Sequence, residues 1–118
     1  MRYALLICHD ETKTTGTDPA RLAAFDAFQG ELDGRGVPWT AVRLRPTSAA
    51  TTVRVRDNEL VIADGPFAET KEQLGGFFLV DVESAEQARA WAARIPAARH
   101  GSVEVRPVVP VPAEVTAG

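Results

Sequence analysis

The chain predicts an α+β fold: a ferredoxin-like βαββαβ arrangement with an inserted hairpin. Three observations carry this. The patterns along the 118 residues run strand, helix, strand, hairpin, strand, helix, strand. Each helical stretch opens on a capping residue and closes on glycine or proline. The composition, 45% hydrophobic and 25% charged, is that of an ordinary globular chain with enough residues for one core.

The elements follow in order. Tyr3 to Cys8 is a continuous apolar run, which reads as a strand buried on both faces. A polar loop, His9 to Thr17, separates it from Asp18-Pro19, a carboxylate cap with proline in the first helical turn. Leu22, Phe25, Phe28 or Gln29, and Leu32 form one apolar stripe, and Gly34 and Gly36 stop the helix. Val37 to Leu44 is a second extended segment, and Arg45 to Ala50 loops around Pro46. Thr51 to Arg56 alternates, Asp57-Asn58 suits a tight turn, and Leu60 to Ile62 completes a hairpin. Glu69 to Leu74 is expected to form a short helical turn ended by Gly75-Gly76, ahead of a strand over Phe77 to Val82. Ser84 and Gln87 have capping-box spacing, the stripe of the second helix runs from Ala85 through Ala88, Trp91 and Ala92 to Ile95, and Pro96 closes it. Ser102 to Val109 is the last strand. Residues 1–109 then make one domain, and 110–118 a proline- and alanine-rich tail expected to be poorly ordered.

Two helices cover one face of such a sheet. The first strand and the Phe77 to Val82 strand carry apolar residues on both faces, so the other face would be a bare apolar patch. A second copy packed sheet to sheet would bury it with two-fold symmetry, which predicts a homodimer. The competing arrangement folds the hairpin across that face.

Composition excludes several classes. The formal net charge of −3 comes with no basic block for a nucleic-acid backbone and no basic amphipathic helix for a membrane surface. No run approaches the ~20 apolar residues that cross a bilayer, and the N-terminal apolar run is too short for a signal-peptide core. The single cysteine, Cys8, suits a reducing compartment, and the expected location is the cytoplasm. Cys8 itself reads as a small buried hydrophobe. There is no phosphate-binding loop, dinucleotide fingerprint, paired-cysteine metal motif or nucleophile elbow. No cofactor and no metal are expected.

From Thr52 to Val109 the chain resembles the DGPF family, within the YCII-related superfamily. The residues that carry the resemblance include Thr52-Val53-Arg54, Asp64-Gly65-Pro66-Phe67, the run Ala68 to Phe77, Trp91-Ala92-Ala93 and Gly101 to Pro107. The first fifty residues fit more loosely. The resemblance implies a dimeric α/β barrel of two ferredoxin-like halves and no settled activity. Some YCII-related proteins look like small lyases or dehalogenating enzymes with a histidine–aspartate acid–base pair, and some DGPF members are linked to sigma-factor-like genes. This chain departs from the pair: it has no histidine between Thr12 and Arg99, and Arg21 stands about where the first-helix histidine falls. The pair is therefore not carried over.

The candidate catalytic residues are Asp64 and His9. Asp64 ends a strand beside Gly65-Pro66, where a carboxylate can face a cleft as a general base. The plainer reading is an Asx-type turn with Gly65 at positive φ. His9, with Asp10 and Glu11, leaves the first strand, and histidine is the side-chain type most often used for acid–base work near neutral pH. A surface histidine is the plainer reading, as it is for His100. The candidate ligand-binding residues are Arg43, Phe67, Thr70 and Lys71. Thr70 and Lys71 suit an anion near a helix start, against a solvated charged turn. Phe67 reads first as a plug into the core. Arg43, like Lys71, offers a cation to stabilise an anion, and Arg54 and Arg56 share one face of the hairpin, where they could clamp a carboxylate or phosphate bidentately, the plainer reading being charges that blunt an exposed edge. Two functions follow: a cofactor-free lyase- or isomerase-like enzyme acting on a small-molecule ligand in a dimer cleft, or a non-catalytic sensor or accessory partner of a regulatory protein.

Overall fold

The computed structural model describes residues 1–13 and 18–110, so the expected tail lies almost wholly outside the described residues. It is a mixed α+β fold with strands β1 (Arg2–His9), β2 (Trp39–Arg43), β3 (Thr51–Arg56), β4 (Glu59–Asp64), β5 (Gln73–Asp81) and β6 (Ser102–Pro107), and helices α1 (Pro19–Gly34) and α2 (Ala85–Arg94). Four strands form an antiparallel sheet in the order β2-β5-β1-β6, an order compatible with a ferredoxin-like fold, and β3 and β4 form a separate two-stranded hairpin. The sheet of the single chain is open, with β2 and β6 as its edges, and closes into no barrel.

Local chemistry sets the helices. The Asp18 carboxylate accepts from the Ala20 amide at 3.0 Å with Pro19 opening α1, and Gly36 takes φ +68° after the helix end. The Ser84 hydroxyl accepts from the Gln87 amide at 3.2 Å, while the Gln87 side chain accepts from the Glu83 amide at 2.9 Å, one residue outside the usual box. Asp57 and Asn58 turn the hairpin with φ of +51° and +64°, the left-handed pair that fits strand twist.

Both helices lie on one sheet face. The core is Tyr3, Leu5 and Ile7 of β1, Phe78 and Val80 of β5, Phe28 and Leu32 of α1, and Trp91 of α2. Phe78 is its hub: its ring meets Phe28 edge-on at 5.2 Å, Trp39 at 5.8 Å and Phe25 at 6.4 Å. The Trp39 indole N–H donates to Asp33 at 2.7 Å, so the ring stays half-buried with its polar atom satisfied. Leu22, the first residue of the expected α1 stripe, is exposed instead, because the core begins a turn further on.

Three expectations are corrected. Glu69 to Leu74 forms no helical turn, and Gly75-Gly76 end nothing: β5 begins at Gln73 and runs through both glycines, because pairing with β1 and β2 outweighs glycine's poor strand preference. The chain gains one residue at Gly75, a bulge opposite Ile7 and Cys8. The last strand stops at Pro107, two residues short. Phe67 is 81% exposed and plugs no core.

The helix-free face carries Ala4, Leu6, Cys8, Phe77 and Leu79, all half-buried, with Ala4 opposite Leu79 and Leu6 opposite Phe77. The hairpin does not fold across it: Val53, Val55, Leu60 and Ile62 stay 59–65% exposed. No helix among the described residues is long and apolar enough to cross a membrane.

Candidate functional site

The end of the sheet where β1 finishes and β5 begins gathers most of the polar candidates. Inner strand β1 delivers His9 opposite Gln73, and β2 delivers Arg43 opposite Gly76. Strand alternation puts His9 on the side of Ile7, Leu5 and Tyr3. The half-buried imidazole lies against the bare backbone of Gly75: a Cβ there would stand 2.5 Å from Nε2 and 2.7 Å from Cδ2. The ring therefore occupies the space a side chain would take, and glycine at the bulge is what leaves room for it.

A hydrogen-bonded frame holds this end together. Glu11 uses both carboxylate oxygens on Thr47, accepting from its amide at 2.9 Å and its hydroxyl at 2.8 Å. The Glu11 amide donates to the Gln73 carboxamide oxygen at 3.1 Å, and the same carboxamide donates through its nitrogen to the Thr70 carbonyl. The Thr70 hydroxyl donates to the Glu72 carbonyl at 2.5 Å, and the Ser102 hydroxyl donates to the Glu72 carboxylate at 2.6 Å. Four chain segments are thus tied: the exit of β1, the loop before β3, the approach to β5 and the start of β6.

Charge is organised on the same frame. Asp10 accepts from the Thr12 hydroxyl at 2.6 Å and the Thr12 amide at 2.9 Å, and those bonds hold its carboxyl below the ordinary range, with Lys13 and Lys71 adding to the effect. Lys71 is accordingly within electrostatic reach of Asp10. No helix start lies at Thr70 and Lys71, so the helix-terminus route to an anion site is absent, and Thr70 serves the frame. Among the described residues no three histidine, cysteine or acidic side chains gather as a metal site.

On the opposite face, burial pushes the Cys8 thiol above its ordinary value, and the charges of Glu104 and Glu72 push the same way. The thiolate fraction at pH 8 is therefore depressed. Iodoacetamide should label Cys8 measurably more slowly than free cysteine at that pH, read by intact mass; labelling at the free rate would contradict the burial argument.

The other candidates stand apart from this frame. Asp64 is exposed at the end of β4, opposite Thr51, and Gly65 takes the positive φ of +91° expected of the turn. The Gly65 amide donates to the Ala50 carbonyl at 2.7 Å and the Thr52 hydroxyl to the Gly65 carbonyl at 2.8 Å, closing the hairpin's root. Phe67 lies on the bend beyond it. Arg21 stacks over Phe25 at 5.7 Å. Two surface grooves, of about 380 and 410 Å³, lie on the helix side and are lined by neither His9 nor Asp64.

The sequence marks neither Ser102 nor Gly75 as site-forming, and it places Glu11 and Gln73 in polar runs without revealing the bond between them. Gly75 had a signal: a glycine inside a strand pattern marks a bulge or a close approach.

The model of the YCII-related domain matches residues 1–112. An uncharacterized protein of Rhizobium meliloti is 40% identical over 114 residues, covering 92% of each chain. With the family model matching nearly the whole length, the chain belongs to the YCII-related family.

Proposed function

We propose that the chain acts as a homodimer, of the DGPF kind and with paired open sheet faces forming a dimeric α/β barrel over residues 1–109, and that the His9 end of each sheet performs cofactor-free acid–base chemistry on a small organic molecule. The observation that carries the reading is the seat of the His9 imidazole on Gly75. A histidine shelved on bare backbone, inside a frame that fixes four segments, is positioned as an acid–base group must be. Lys71 beside Asp10 supplies a cation for an acidic substrate group, and Arg43 at the end of β2 is a second. Asp64 and Phe67 are contributors only if another chain brings them in.

A thermal-shift screen of small carboxylic acids and phenols tests this. A ligand at a hundredfold excess over its Kd raises the midpoint by about 10 °C for a domain of this size. We expect such a ligand to lose most of its shift in His9→Gln, which removes the acid–base group, and in Gly75→Ala, which keeps the imidazole and displaces it. The ligand should likewise bind less tightly to Lys71→Ala. A ligand that binds all three variants as it binds the native chain would sink the assignment.

A further inference from the structure

The twelve large apolar side chains exposed among the described residues are unevenly spread: nine fall between Val42 and Leu74. The hairpin β3–β4 is the centre of that stretch. Its register pairs Val53 with Ile62 and Val55 with Leu60, so these four share one face, at 59, 61, 62 and 65% exposure. The opposite face pairs Arg54 with Val61 and Arg56 with Glu59. The hairpin is therefore amphipathic, yet its apolar face covers nothing. A bare two-stranded hairpin is marginal in water and needs its apolar face packed. Its own chain anchors only the root, through Glu11 on Thr47 and the Ala50–Gly65 and Thr52–Gly65 bonds.

We infer that β3–β4 is an intersubunit arm that seats Val53, Val55, Leu60 and Ile62 on the open sheet face of a second copy. This rests on the homodimer reading above and adds what each copy gives. Dimensions favour it. Six residues per strand make an arm about 20 Å long, and four strands spaced about 4.8 Å make a sheet about 19 Å across. One arm, about 20 by 10 Å, covers about 200 Å² of the partner, and two-fold symmetry doubles the contact, so the arms bury about 800 Å² in total. A specific interface needs about 1,200 Å² or more, and the remainder falls to the open faces themselves. A second copy is the occupant that removes both apolar surfaces at once; a different partner on the arm leaves Leu6, Phe77 and Leu79 bare. The net charge of −3 opposes self-association only weakly.

The arm also settles where Asp64 acts. Two residues from Ile62 on β4, its side chain shares the apolar face at the arm's root. When the arm docks, that carboxylate is delivered to the cleft between copies and not to the His9 end of its own chain.

Sedimentation equilibrium on the full chain tests the arm. The variant Val55→Asp/Leu60→Asp changes side chains already exposed in the single chain, so its circular dichroism should match the native protein. We expect a native dimer, a roughly hundredfold or greater rise in dimer Kd for that variant, and no change for Arg56→Ala on the opposite face. A native dimer that the double substitution leaves intact overturns the arm and spares the homodimer. A native chain that is monomeric at micromolar concentration overturns both.

Discussion

Phe78→Ala should lower the unfolding free energy by about 4 kcal/mol, the middle of the range for emptying a buried phenylalanine site. The ring is 3% exposed on inner strand β5 and is contacted by Phe25, Phe28 and Trp39, so the loss has three parts. The transfer free energy of the ring is lost. A cavity opens between sheet and α1 that three rigid rings fill poorly. Two favourable aromatic geometries, the edge contact with Phe28 and the tilted one with Trp39, each worth about 1 kcal/mol, vanish. A domain of this size holds about 5–15 kcal/mol in all, so the variant should stand at the margin of folding at 37 °C. Urea melts followed by tryptophan fluorescence measure it, since Trp39 and Trp91 both report on this core. A loss below about 2 kcal/mol would mean that the rings collapse into the space and that the hub is less rigid than its contacts imply.

Gly101→Ala should be the most disruptive single methyl addition at the polar end, at about 3 kcal/mol. A Cβ there would stand 2.1 Å from the Cys8 carbonyl oxygen and 3.1 Å from the His9 Cα, both backbone atoms of β1. β1 is an inner strand, hydrogen-bonded on both sides to β5 and β6, so relief must come from Gly101 itself, whose amide is held by the Ala97 carbonyl at 2.8 Å. The contrast with Gly76 sets the scale. A Cβ at Gly76 would meet the Val42 carbonyl oxygen at 2.4 Å, but β2 is a five-residue edge strand free to move outward. Denaturant midpoints of the two variants should rank Gly101→Ala well below Gly76→Ala. Equal midpoints would show that the start of β6 yields as readily as β2 does.

Much of the fold was legible in the sequence because it was written in local chemistry. Asp18-Pro19 and Ser84 with Gln87 act within one helical turn, and Asp57-Asn58 closes a hairpin by its own backbone preferences. The unbroken run from Tyr3 to Cys8 announced an inner strand. The misreadings share one cause. Gly75 and Gly76 are local breakers, and only contacts with β1 and β2, more than thirty residues away, make them strand. Phe67 is apolar and reads as core, but no element of its own chain stands over it. The candidate site was half legible. His9, Arg43, Thr70 and Lys71 do gather at one end of the sheet, whereas Asp64 lies apart at the root of the hairpin. Glu11 on Thr47 and Gln73 on Glu11 span 36 and 62 positions, and no spacing rule reaches that far.

The order β2-β5-β1-β6 has a consequence for the order of events during synthesis. β1 leaves the ribosome before the other strands of this sheet, and both of its neighbours are made late, β5 at Gln73–Asp81 and β6 at Ser102–Pro107. At about 5–20 residues per second, an apolar strand with two unpaired edges waits roughly 5–20 s for its second partner. Loop closure over so many residues also slows the search itself. The nascent chain therefore carries an unpaired apolar strand while the rest of the sheet is made, and its yield should depend on what shields that segment during translation, whatever the stability of the finished fold.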